Sequence, residues 1–341
     1  MNREYSPTLE YHNQALRVNA YTSPGLIVNE YHSLAKYLTD GYTAETKLVP
    51  FADALQTHGQ HRHQLLAGWM YAESALVMHN RSTEDRELLL QASGECWQRA
   101  HQSLVERDER KLLYDKDTPG IKTLHCQLNL ATLDMLRAIV RGDVTKESRQ
   151  HLYDGILRTA VQTDIARNNL LALNDHSPYE TPYLGFLHEL NAMLLINRLQ
   201  STSAIALPAL PRADCGNGEY NMLTHDIQVL NTRWGEIRHV LPIEVKATPQ
   251  EHHYQRYTAA IVGGTVHLHP EKQRDPSYLT SLLVKESLGV ADEADIALLD
   301  DATNKVIHAI RHGYNGTTQC RDVEQCELYG LERNTHHKAA K

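Results

Sequence analysis

The sequence lacks the short glycine-rich signatures that mark several large enzyme classes. No GxSxG segment of the serine hydrolases and no GxxxxGK[ST] phosphate loop occurs along the 341 residues. The paired glycines of IVGGTV do not extend to GxGxxG, and we interpret them as a strand start or a bend. The sequence therefore gives no signal for a nucleophilic serine, a nucleotide phosphate or a dinucleotide.

Cysteine is scarce and scattered. The five cysteines form no CxxC pair, so the sequence predicts neither a zinc knuckle nor a disulfide framework. We expect reduced cysteines, as is typical of cytosolic proteins.

Long apolar runs are also missing. No segment approaches the ~20 apolar residues of a membrane span, and the opening MNREYSPTLEYHNQ has no signal-peptide core. We expect a cytoplasmic protein with no membrane association.

Positive charge is in the minority, with 34 Lys and Arg against 42 Asp and Glu and a formal net charge of −8. This balance argues against a strong general nucleic-acid binder, so any such contact needs a local basic patch. The length suggests two domains at ~100–200 residues each.

The segment from about residue 29 to 173 has the period of amphipathic helices. Thr83 is a candidate N-cap, and Gly142 is a candidate helix stop. We predict an all-α domain over residues 1–177. The stretches that open at Gln64 and Gln127 resemble each other, which indicates either a helical repeat or two unrelated amphipathic helices.

The pattern changes after Pro178 and Pro182. One helix, GFLHELNAMLLINRLQ, leads into an irregular stretch that includes Pro208. Strand-like YNMLTHDIQVLN and EIRHVLPIEVKAT follow, then a helical EHHYQRYTAAI, a strand GGTVHLHP and further helical segments. This order predicts an α/β domain over residues 178–315, with a polar tail over 316–341.

The strand LPIEVKAT carries two charges on one face. Because side chains alternate along a strand, Glu244 and Lys246 share a face, and Val245 points into the core. Asp226 is the only carboxylate of the preceding strand-like run, and TRWGE turns the chain so that the two strands can pair. Paired carboxylates repel unless a proton or cation intervenes, and Mg²⁺ favours oxygen ligands.

Glu189 lies within the otherwise apolar helix GFLHEL. A carboxylate near a buried face calls for a partner. Equally, Glu189, His188 and Asn191 could mark the exposed face of that helix.

The order of a helical Glu189, a strand Asp226 and then Glu244-x-Lys246 resembles the PD-(D/E)xK nuclease family, the restriction-endonuclease-like fold. The resemblance spans roughly residues 182–270 and none of the helical half. It departs at His225, where the family places proline before the strand Asp. The helix after the motif often carries a Gln in this family. Gln255 in YQRYTAA fits that position, and we favour it over Gln250, which lies very close to Lys246.

The resemblance implies hydrolysis of phosphodiester bonds, in DNA rather than RNA, with Mg²⁺ or Mn²⁺ as cofactor. It implies that Asp226, Glu244 and the Val245 carbonyl oxygen ligate the metal, and that Glu189 binds a second metal or holds a water on the first. It implies that Lys246 acts electrostatically beside the attacking water.

Two questions remain open from the sequence. The helical domain could recognise a protein partner, a nucleic-acid feature or a second copy of the chain. The alternative to an enzyme is a non-catalytic scaffold with a degenerate nuclease fold, in which Glu244 and Lys246 form exposed ion pairs worth ~0.2–1 kcal/mol.

Histidine is abundant, with 21 copies. Histidine clusters can bind zinc, but in so histidine-rich a chain we expect chance to explain most of the clustering. The clusters are His58, His61 and His63; His252 and His253; and His267 and His269, which could also contact a substrate phosphate.

Overall fold

The computed structural model describes residues 41–110, 119–173, 180–199, 204–208, 226–231, 239–246, 259–262 and 276–312. Helical turns at Gly41–Thr43 and Ala44–Leu48 lead into the first helix. The helices are α1 Val49–Gln56, α2 His61–Val77, α3 Thr83–Arg110, α4 Ile121–Arg141, α5 Lys146–Leu173, α6 Glu180–Asn197, α7 Pro276–Ser287 and α8 Glu293–His312. The strands are β1 Ala204–Pro208, β2 Ile227–Asn231, β3 His239–Lys246 and β4 Ala259–Val262.

The described part of the first half is helical, as predicted. Each helix from α2 to α6 packs on the next one along the chain, and α2 and α4 also touch each other beside α3. Helix α2 is buried along most of its length, so it forms the centre of this layer. The two similar stretches lie within α2 and α4, and a repeat origin stays a prediction.

Both predicted helix ends can be compared with the structure. Gly142 adopts a left-handed φ of 72° and donates its N–H to the Ile139 carbonyl oxygen, which confirms the predicted stop. The N-cap of α3 is Ser82 rather than Thr83, because the Ser82 hydroxyl accepts the N–H of Asp85 at 3.1 Å.

The strands form one mixed sheet in the order β1-β2-β3-β4. β1 pairs antiparallel with β2, and β2 pairs antiparallel with β3, which confirms the predicted hairpin. β3 pairs parallel with β4. Parallel neighbours need a crossover connection, and residues 247–258, which supply it, lie outside the described part.

Two strand predictions were wrong. The segment that ends at Pro208 forms β1 rather than an irregular stretch. Proline is tolerated on an edge strand, because the outer side of such a strand has no neighbouring strand that needs an N–H donor. β4 begins at Ala259, within the segment predicted as helical. Pairing with β3 there overrides the helix propensity of alanine. The predicted strand at 263–270 lies outside the described residues.

The two halves of the chain share one hydrophobic core. A continuous cluster of buried apolar side chains runs from Ala44 to Ile310 through the helices and the sheet. Helix α6 joins them, since it packs on α5 on one side and on β1 and β3 on another. The boundary at 177/178 and the tail at 316–341 fall outside the described residues and stay predictions.

Among the described helices, none combines the length and the apolar character needed to cross a membrane.

Candidate functional site

Asp226 lies one residue before β2 and bonds twice to β3. Its backbone N–H donates to the Ile243 carbonyl oxygen at 2.9 Å. Its carboxylate Oδ2 accepts the backbone N–H of Val245 at 2.7 Å. The side chain is buried, with 7% of the residue exposed. A buried carboxylate needs such a partner, because its desolvation is costly otherwise.

Asp226 can reach Val245 because β3 extends further than β2. Ile227, the first residue of β2, pairs with Ile243, so Glu244, Val245 and Lys246 extend past the start of β2. Asp226 lies just outside this register, and both its N–H and its carboxylate bond to β3. In a strand, the N–H and C=O of one residue point to the same side. The Val245 carbonyl therefore lies on the side of β3 that Asp226 occupies.

The predicted alternation along β3 is confirmed for its core-facing residues. Ile243 and Val245 are both buried. The backbones of Glu244 and Lys246 pair in register with Ala260 and Val262 of β4, whereas their side chains lie outside the described part. Their sharing of one face stays a prediction.

Glu189 is half-buried on α6. The interpretation that it shares an exposed face with His188 and Asn191 is wrong, because both of those residues are buried. Asn191 donates to the Pro276 carbonyl oxygen at 3.0 Å and accepts from the Thr280 hydroxyl at 3.0 Å. This burial cannot be predicted from the pattern of α6 itself, because distant segments cover the helix on nearly all sides. These segments are α5, α7, α8 and the sheet.

The predicted metal ligands stay a prediction. Over the described residues, no group of three or more His, Cys, Asp or Glu side chains comes together around a point. The side chain of Glu244 lies outside the described part, so the convergence of Glu189, Asp226 and Glu244 stays a prediction. Gln255 and the histidines at 252, 253, 267 and 269 also lie outside the described residues.

The donors that the structure does describe suit a hard cation. Asp226 supplies carboxylate oxygen, and the Val245 carbonyl on the same side of β3 supplies a neutral oxygen, which are ligand types that Mg²⁺ prefers. Soft sulfur ligands are unsuited to this role. Burial raises the pKa of the Cys126 thiol to about 12, which makes it an inert core residue.

The HGQHRH cluster lies at the start of α2. The rings of His58 and His63 meet edge to face with centroids 5.6 Å apart. Burial lowers the pKa of His63, and the nearby positive charge of Arg62 and the ring of His58 add to the shift. His63 is therefore held in its neutral form within the helical core.

Two polar clusters, one part-buried and one buried, fix α6 to its neighbours, and the sequence pattern does not indicate either of them. Arg198, just past α6, pairs with Glu286 of α7 at 2.7 Å and with Asp300 of α8 at 2.6 Å. Asn197 bonds twice to the backbone of Ala206 in β1. In the sequence, Arg198 and Asn197 look like ordinary polar residues at the end of a helix.

Comparison with known proteins gives no relative. No family model, no curated protein and no solved structure matches this chain.

Proposed function

We propose that this chain is a metal-dependent nuclease that hydrolyses phosphodiester bonds, with DNA as the favoured substrate. The observation that carries the proposal is the bond between the Asp226 carboxylate and the Val245 N–H at 2.7 Å. It sets the first carboxylate of the motif against the tripeptide Glu244-Val245-Lys246, as the resemblance to PD-(D/E)xK nucleases requires.

The order of elements around this bond also supports the proposal. Helix α6 is followed by three antiparallel strands and then by β4, which is parallel to β3. A helix, a three-stranded meander, a crossover and a parallel fourth strand is the core that the restriction-endonuclease-like resemblance implies.

Each residue of the motif has a proposed role. Asp226, Glu244 and the Val245 carbonyl would hold Mg²⁺ or Mn²⁺, and Glu189 of α6 would complete the set. The chemistry expected from the bound ion is Lewis-acid activation of the phosphodiester. Lys246 would place its positive charge beside the attacking water and offset the charge that develops on the phosphate. Gln255 would orient substrate or water from the crossover.

A second candidate function is a non-catalytic binding protein built on a degenerate nuclease fold. The same Asp226 bond favours it, because a carboxylate that accepts the buried Val245 N–H has a structural use without any metal. The single hydrophobic core shared by the helices and the sheet is equally compatible with a scaffold.

Cleavage assays with and without a divalent metal ion distinguish the nuclease from the non-catalytic binding protein. Wild type, Asp226→Asn and Lys246→Ala would be incubated with plasmid, single-stranded DNA and RNA in Mg²⁺, Mn²⁺ or EDTA. We expect wild type to cut DNA only with a divalent ion, and each variant to lose about 100-fold or more of the rate. Asn keeps an oxygen for the Val245 N–H but lacks the negative charge, so Asp226→Asn isolates the metal role.

A wild type that leaves every substrate intact but retards DNA in a gel would support the binding protein. Equal cutting by wild type and both variants would point to a contaminant and contradict the assigned site.

A further inference from the structure

The end of α6 is clamped to the outer edge of β1 by one side chain. Asn197 donates from Nδ2 to the Ala206 carbonyl oxygen at 2.8 Å, and the Ala206 N–H donates to Asn197 Oδ1 at 2.9 Å. The amide thus makes the two reciprocal bonds that a neighbouring strand would make. Both residues are buried, so these bonds are shielded from water.

The pairing of β1 explains why its edge is available for this clamp. Ala206 lies across from Val229, but its N–H and C=O are both used by Asn197, so they point away from β2. The same side of the strand holds the Ala204 carbonyl, which accepts Arg149 Nη1 of α5 at 3.0 Å. Pro208, two residues further on, has no N–H to satisfy. Side chains of α5 and α6 therefore take the place of a further strand.

These bonds differ in kind from the rest of the contact between α6 and the sheet. The apolar side chains of α6 pack in the shared core, and hydrophobic contact is non-directional. A pair of reciprocal hydrogen bonds fixes distance and orientation instead. The position of α6 along the sheet is therefore set at Asn197.

The carboxylates of Glu189 and Asp226 lie at similar distances from this pair of bonds, the first along α6 and the second along the chain that leads into β2, the neighbour of β1. Glu189 is eight residues before Asn197, which is about 12 Å along the helix and about 80° around it. Asp226 is three residues before Val229, the residue across from Ala206, which is about 10 Å along the strand. A small slide of α6 would change the separation of Glu189 and Asp226 directly.

We propose that Asn197 is a positioning residue, whose double bond to Ala206 sets Glu189 within reach of a cation held by Asp226. This inference rests on the proposed nuclease function. Asn197 contacts neither substrate nor metal in this scheme, and it acts only through the placement of α6. A misplacement of about 1 Å at a reacting centre can cost about 100-fold in rate.

Asn191 provides a matched control on the same helix. It is buried and makes two hydrogen bonds, but these join α6 to Pro276 and Thr280 at the start of α7 rather than to the sheet. The variants Asn197→Leu and Asn191→Leu therefore remove comparable bonds with the same change of shape. Asn197→Asp keeps the acceptor for the Ala206 N–H but replaces the donor with a carboxylate oxygen that faces the Ala206 carbonyl oxygen.

The test measures thermal unfolding, the kcat and KM for DNA, and the Mg²⁺ concentration that gives half the maximal rate. We expect both Leu variants to lose stability to a similar degree. Only Asn197→Leu should lower kcat, by about 10- to 100-fold, and raise the half-maximal Mg²⁺ concentration, with an unchanged KM. Asn197→Asp should lie between wild type and Asn197→Leu.

A merely structural role of Asn197 would leave the Mg²⁺ dependence unchanged, and that result overturns the inference. So does an Asn191→Leu variant with the same kinetic defect. If Asn197→Leu does not fold, Asn197→Asp is judged by the same criteria, and failure of both to fold also counts against a positioning role.

Mn²⁺ binding, followed by the electron paramagnetic resonance of the free ion, separates this inference from the nuclease proposal. A wild type that binds Mn²⁺ but cuts nothing contradicts the nuclease function alone, and weaker binding by Asn197→Leu then still supports positioning. A wild type that neither cuts nor binds Mn²⁺ contradicts both.

Discussion

The carboxylate of Asp226 accepts the backbone N–H of Val245 at 2.7 Å, and this bond fastens the beginning of β2 to the far end of β3. We expect Asp226→Ala to lower the free energy of unfolding by about 1–3 kcal/mol, because a buried N–H loses its acceptor. Asp226→Asn keeps an acceptor for this N–H and should therefore lose clearly less stability than Asp226→Ala. Urea denaturation of the three proteins measures both changes.

The comparison also distinguishes a structural from a catalytic use of this carboxylate. Equal stability losses in the two variants would show that the charge, rather than the hydrogen bond, stabilises the strand ends. Loss of cleavage in Asp226→Asn without the stability loss of Asp226→Ala is the result that the nuclease proposal requires.

The helical half and the hairpin could be predicted because their signals are local. Amphipathic spacing predicted α2 to α5, and Gly142 ended α4 because glycine tolerates a left-handed φ. The pairing of β2 with β3 followed from two apolar segments on either side of a turn. In each case the deciding residues are neighbours in the sequence.

The remaining features depend on contacts between distant segments. β1 contains Pro208 and pairs with β2 along its length, while Asn197 and Arg149 satisfy its outer edge. The burial of His188 and Asn191 results from helices packed around α6. The bond of Asp226 to Val245 arises from the unequal lengths of β2 and β3, which no residue of either strand indicates alone.

The close approach of α2 and α3 at Gly68 gives a stability prediction. A Cβ at Gly68 would lie 2.3 Å from Nε1 of Trp97, whose ring is fully buried and packs edge to face on Trp69 at 5.2 Å. The indole must move, so Gly68→Ala should cost about 1–3 kcal/mol. Near-ultraviolet circular dichroism should show the altered tryptophan pair, and thermal unfolding should show the loss.

Gly185 is the matched control, since it also lies within a helix but a Cβ there meets no atom within 4 Å. Gly185→Ala should stabilise the protein by about 0.5–1 kcal/mol, because alanine loses less backbone entropy on folding. A Gly68→Ala variant as stable as Gly185→Ala would contradict the tight contact with Trp97.

Arg86 of α3 caps the end of α2. Its Nε donates to the Ala75 carbonyl oxygen at 2.7 Å and its Nη2 to that of Leu76 at 3.4 Å. These carbonyls belong to the last turn, where no intrahelical donor remains. Arg86→Met should keep the packing of the side-chain stem but lower the free energy of unfolding by about 1.5–3 kcal/mol. Denaturant titration measures the change.

Arg137→Met is the corresponding control, because Arg137 is only partly buried and its ion pair within the described residues is with exposed Asp134, three residues before it on α4. That variant should stay within ~0.5 kcal/mol of wild type. If both variants are equally stable, the carbonyls at the end of α2 do not need Arg86.

Buried His63 and half-buried His101 predict a loss of stability in mild acid. Burial lowers the pKa of both His63 and His101 in the folded protein, and Arg62 and His58 add to the shift of His63. An unfolded histidine has a pKa of about 6.5. As the pH falls through that value, the unfolded chain binds protons that the folded chain does not, so the free energy of unfolding decreases.

The stabilisation is therefore complete above about pH 6.5 and is lost as the pH falls toward the lowered folded pKa values, by at most about 1.4 kcal/mol per histidine per pH unit. Urea denaturation at pH 7.5, 6.5 and 5.5 measures the slope. The double variant His63→Gln, His101→Gln should flatten it, since neither site can then take up a proton on unfolding. An unchanged slope in the double variant would assign the acid sensitivity to other groups.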